Sequence, residues 1–80
     1  MAVDFYDVAE EIALLLIRDG QAQEAQSIRD AIAEGSTGTE ILMRLRFLLK
    51  KLTRREITRR DTQARMDALI DGINQAIPPG

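Results

Sequence analysis

Thr53-Arg54-Arg55-Glu56-Ile57-Thr58-Arg59-Arg60-Asp61-Thr62-Gln63 is the stretch on which the fold turns. It holds one strongly apolar residue, Ile57, and no Gly, Pro or Asn to force a reversal. The segments on both sides have helical spacing. Ile41, Leu45, Leu48 and Leu52 form a stripe before it, with Leu42 and Leu49 on the flank. Met66, Leu69, Ile70, Ile73 and Ile77 form another after it, stopped by Pro78-Pro79-Gly80. Two arrangements satisfy this pattern. In the first, Asp61 or Thr53 (with Glu56 as a capping box) starts a fourth helix, and the chain folds back into a four-helix bundle. In the second, one helix runs from 38 to 77. Positions 41, 45, 48, 52, 55, 59, 62, 66, 69, 73 and 76 keep a 4-3 alternation that only Arg55, Arg59 and Thr62 interrupt. Such a helix of about 40 residues spans roughly 60 Å, so its far end needs a partner chain.

Working outward from that stretch, the other helices declare themselves more plainly. Helix 1 spans about 4–19, with Phe5, Val8, Ile12, Leu15 and Leu16 on one face. Tyr6, Ala13 and Ile17 widen the apolar arc, and Leu14 points almost opposite. A helix so apolar around its circumference is expected to be central. Asp4 and Asp7 at its start and Arg18 at its end suit the helix dipole, and Gly20 is placed as the left-handed residue that ends it. Helix 2, about 21–34, has a weak stripe of Ala22, Ala25, Ile28 and Ile32, small enough for close approach in a hairpin with helix 1. Gly35 closes it, and Thr37 with Glu40 fits a capping box for helix 3, about 38–52. The last helix is about 62–77. The expectation is a single all-α domain over 1–80: a helix 1–2 hairpin on helix 3, with the C-terminal helix folded back or continuous with helix 3 in a dimer.

Composition narrows the chemistry. The 80 residues are 45% hydrophobic and 30% charged, the balance of a folded chain. There is no Cys, His or Trp, which removes disulfides, thiol and imidazole chemistry and the usual zinc ligands. Ser27 and Ser36 are the only serines, with no imidazole to activate them. The longest apolar run, 12–17, is six residues against the roughly 20 of a membrane span, and acids stand where a leader would be basic. These features lead us to expect a cytoplasmic protein with no enzymatic activity, cofactor, metal, membrane contact or small-molecule substrate.

Charge is segregated. Residues 1–40 carry nine acids against Arg18 and Arg29, whereas 41–60 carry eight bases against Glu56 alone. On a helix, Arg46, Lys50, Lys51 and Arg54 lie away from the Leu stripe, and Arg55, Arg59 and Arg60 extend the basic run. A partner with a phosphate backbone would use such a segment; alternatively, the acidic helices simply neutralise it. Met43 and Phe47 form an apolar pair off the stripe, rimmed by these cations, and with Leu14 they are candidate partner-binding residues. Asp7, Glu10 and Glu11 could present carboxylates to a cation, or form a solvated face. Gly35-Ser36-Thr37-Gly38-Thr39 could cradle an anion, or serve as a turn.

The sequence therefore reads as a small non-enzymatic protein acting through protein–protein contact. It is expected to homodimerise and to bind a heterologous partner, as a regulator, an adaptor or a toxin-neutralising protein. The alternative is a nucleic-acid-binding helical protein using 44–60.

Overall fold

The computed structural model describes residues 4–55 and 59–77. Within them the chain forms α1 (Phe5–Arg18), α2 (Ala22–Glu34), α3 (Gly38–Arg55) and α4 (Arg60–Ala76), and no strand. α3 and α4 are separate helices packed on one another, so the chain takes the folded-back arrangement and not the continuous helix. Gln63 reaches the Thr53 carbonyl at one end of this pair and Arg46 reaches Asn74 at the other, which makes them antiparallel. Each helix packs on the next around a ring, and α4 closes onto α1. α1 and α3 therefore stand diagonally across the bundle.

The ring encloses an aliphatic core. Ala9, Ile12, Ala13 and Leu16 come from α1, Ala25, Ile28 and Ala31 from α2, Leu45, Leu49 and Leu52 from α3, and Met66, Leu69, Ile70 and Ile73 from α4. Two details differ from the helical stripes expected. Leu49 is fully buried while Leu48 is only half-buried, because α3 touches both α2 and α4 and its buried arc is turned between them. On α2, Ala31 is buried and Ala22 exposed. Nor is α1 covered on all sides: it packs on α2 and α4, and Tyr6, Leu14 and Ile17 stay 41%, 57% and 43% exposed.

The helix ends follow the local chemistry. Asp4 caps α1, its carboxylate accepting from the Tyr6 and Asp7 amides at 2.9 and 3.3 Å. Gly20 takes a φ of +81°, and the Gly20 and Gln21 amides return to the Ile17 and Leu16 carbonyls, a Schellman closure. Thr37 accepts from the Glu40 amide at 3.1 Å, while the Glu40 carboxylate reaches the Ser36 amide, so the expected box forms with its return bond one residue early. Gly35 keeps a negative φ of −69°; what requires glycine there is space, since a Cβ would run into the Ile41 side chain.

A polar cluster joins α1 to α4. Asp19, at the end of α1, has a side chain only 2% exposed. Its carboxylate accepts from Thr62 Oγ1 at 2.7 Å, from Arg18 Nε at 3.0 Å and from the Arg59 amide at 3.3 Å. The same Arg18 grips Asp61 with two bonds of 2.9 Å. Asp19 thus places negative charge at the α4 N-terminus, where Arg59 provides no side-chain cap of its own. Asp61 lies in the first turn of α4 and Thr53 lies inside α3, bonded to the Lys50 carbonyl, so neither plays the expected capping role. Glu56 and Ile57 lie outside the described residues.

Burial pushes the Asp19 carboxyl up, but the bonds from Thr62, Arg18 and the Arg59 amide together outweigh it and hold it below the ordinary range. Arg18 holds Asp61 low as well, and Arg29 does the same to Glu10. Carboxyls depressed in the folded state stabilise it fully above their unfolded pKa of about 4, and that contribution disappears as pH falls through the folded values. Urea unfolding followed by circular dichroism should give a constant stability from about pH 7 to 5 and a steep fall below about pH 4. Thr62→Val removes a donor from a buried carboxylate and should cost about 1–3 kcal/mol at neutral pH.

Candidate functional site

The outward face of α3 carries Met43 and Phe47 one turn apart. With Leu45, Leu49 and Leu52 facing the core, residues 43 and 47 fall roughly 150–170° round the helix from them at about 100° per residue. They are 52% and 67% exposed, and Phe47 is the most exposed large hydrophobic among the described residues. Two shallow depressions meet at Phe47. One is lined by Glu40, Met43, Arg44 and Leu48, the other by Lys50, Lys51, Arg54 and Arg55.

The structure divides the basic segment by role. Arg46 is half-buried, and its Nη1 donates to Asn74 Oδ1 and to the Ile77 carbonyl, both at 2.9 Å, closing the C-terminal end of α4. Arg55 reaches Glu24 at 3.5 Å, and Arg59 reaches Asp19 at 3.6 Å. Arg44, Lys50, Lys51, Arg54 and Arg60 are exposed and make no ion pair among the described residues. The acids of the first half therefore neutralise only part of the basic segment. Arg44, Lys50, Lys51 and Arg54 share α3 with Phe47, while Arg59 and Arg60 sit at the start of α4.

Leu14 does not join this surface. It is exposed on α1, diagonally opposite, one turn from the partly exposed Ile17. The three candidate contact residues thus form two sites. The apolar arc of α1 predicts Tyr6 and Ile17 to be covered; their only signal as surface residues is the excess width of that arc.

The other candidates resolve into structural roles. Glu10 binds Arg29 of α2 and Glu11 binds Arg65 of α4, so these two carboxylates turn to opposite flanks of α1. Among the described residues there is no group of three or more metal-ligating side chains. In the 35–39 turn, Glu40 and Thr37 already take amides of the helix start. No described helix is long and apolar enough to cross a membrane.

Comparison with protein-family models, with curated proteins and with solved structures returns no match.

Because Met43 and Phe47 lie outside the core, the double change Met43→Ser/Phe47→Ser should keep the helical circular dichroism and shift the unfolding free energy by under about 1 kcal/mol. Leu45→Ala or Leu49→Ala, by contrast, should cost about 2–5 kcal/mol in the same urea titration.

Proposed function

We propose that this is a non-enzymatic binding protein of the cytoplasm, a regulator, adaptor or toxin-neutralising partner, whose docking surface is the outer face of α3. The observation that carries the reading is the exposure of Phe47 beside Met43 within a rim of Arg44, Lys50, Lys51 and Arg54. An aromatic anchor ringed by polar groups has the form of an interaction hot spot. Burying the Phe47 ring in a partner would contribute about 1.5–3 kcal/mol, and the cations would select carboxylates around the receiving pocket. The absence of Cys and His supports a role without chemistry.

One observation favours a second reading. Lys50, Lys51 and Arg54 face solvent within two turns of an exposed aromatic ring, which suits phosphates and a stacked base. Arg46, Arg55 and Arg59, bound within the fold, weaken it by reducing the number of phosphate contacts available.

Both readings are tested by amide chemical-shift mapping on the full chain. The probes are an acidic amphipathic helical peptide, a generic DNA duplex and a single-stranded RNA at about 50 mM salt. The expected result is a response to the peptide confined to Met43, Phe47, Lys50 and Arg54, abolished by Met43→Ser/Phe47→Ser. Binding to either nucleic acid at that face, weakened about 10²-fold between about 50 and 200 mM salt as four phosphate contacts require, would overturn it in favour of the second reading.

A further inference from the structure

We infer that the partner of α3's outer face is a helix whose apolar anchors and carboxylates are segregated, the carboxylates about two turns to one side of the anchors. This rests on the reading of that face as a protein-docking surface and adds what the docking segment must look like.

The face changes character along its length. The two depressions that meet at Phe47 are nearly equal in size, about 480 and 520 Å³, so chemistry alone distinguishes them. The one toward the start of α3 balances Glu40 against Arg44 and takes its apolar surface from Met43, Phe47 and Leu48. The one toward the end sets Lys50, Lys51, Arg54 and Arg55 beyond Phe47, and none of its described lining residues is an acid. Of those four cations Arg55 alone is engaged within the fold, by Glu24 at 3.5 Å; Lys50, Lys51 and Arg54 make no ion pair among the described residues.

Helical geometry turns this order into a spacing. At about 100° per residue, positions 43, 50, 51 and 54 all lie within about 60° of Phe47, so one straight segment can touch them all. From the middle of the Met43–Phe47 pair to the middle of the Lys50–Arg54 pair is seven residues, roughly 10 Å. In a partner helix, residues seven apart return to within about 20° of the same face, which matches that separation. An extended segment fits less well, because α3 spends its backbone groups on itself and offers no sheet edge to pair with. Carboxylates stabilise a helix from its first turn, so a partner carrying them there runs antiparallel to α3. A phosphate backbone or an anionic bilayer, by contrast, presents its charge evenly and makes no use of the balanced first depression.

The test uses the full chain and two capped helical peptides of the same composition. One carries three glutamates at its N-terminal end, about seven residues before two leucines on the same face; the other spreads those glutamates evenly around the leucines. Three exposed ion pairs should make the segregated peptide bind about tenfold tighter at about 50 mM salt. A spin label at its acidic end should broaden the amides of Lys50, Lys51 and Arg54 and spare that of Glu40. Lys50→Gln/Arg54→Gln should bring the two affinities within about twofold. Equal affinity of the two peptides for the wild-type chain overturns the inference, as does a label that broadens the Glu40 end. So does a preference that survives Lys50→Gln/Arg54→Gln, since it then arises from the peptides' own helicity. In these cases the docking surface itself stands, provided that Met43→Ser/Phe47→Ser abolishes both complexes. Binding of both peptides that ignores Met43→Ser/Phe47→Ser, or no binding of either, overturns the docking surface and the inference together.

Discussion

A carboxylate removed from water has to recover its hydrogen bonds from the protein, and in this bundle Asp19 recovers them from α4. Three donors converge on it, two of them from residues forty or more positions away in sequence. Because Asp19 sits where α1 ends, the α4 N-terminus is fixed beside the α1 C-terminus. That one constraint makes the two helices antiparallel and closes the ring. With the ring closed, α3 has α2 on one side and α4 on the other, and the side left over is the one bearing Met43 and Phe47. The location of the candidate surface is thus a consequence of where a buried charge finds its partners.

This also explains why the 53–63 stretch reads two ways. A periodicity of apolar residues reports that a helix has a buried side, and both the folded-back and continuous arrangements give α3 and α4 one. What separates them is Arg18 with Asp61 and Asp19 with Thr62, contacts that no local pattern encodes. Thr62 was visible only as an interruption in the 4-3 series, yet it is fully buried, and its hydroxyl both donates to Asp19 and accepts from Arg18. Locally determined features were legible: the left-handed Gly20, the Thr37–Glu40 start of α3 and the stripe of α4. Gly35 was legible as a stop but not for its reason, because its proximity to Ile41 exists only once the 35–40 turn has formed.

The basic segment shows the same division between local and long-range information. Summed over the sequence its eight bases are equivalent, and the acids of the first half seem ready to match them. In the fold, position decides. Arg46 leans along α3 toward the C-terminus of α4 and meets a carbonyl and an amide there. Arg55, at the end of α3, meets Glu24 of α2, and Arg59, just before α4, meets Asp19 at the end of α1. Arg44, Lys50, Lys51 and Arg54 on α3's outer face make no ion pair among the described residues, because α2 flanks α3 and α1 stands diagonally from it.

The scarcity of aromatic residues sharpens the meaning of Phe47. The chain has three: Phe5 packs half-buried against the core, close to Gly72, while Tyr6 is 41% and Phe47 67% exposed. A domain of this size has little apolar surface to spare for its own stability, and a phenylalanine in the core would contribute more than the aliphatic side chains it replaced. Instead one of the chain's two phenylalanines sits on the arc of α3 that no described helix of the bundle covers, next to a methionine that adapts its shape to what it touches. Folding gains little from a phenyl ring at that position: the pair with Met43 one turn away is worth about 0.2–0.5 kcal/mol. The docking role proposed for this face would account for the ring, and the cations around it would then set the charge of the partner.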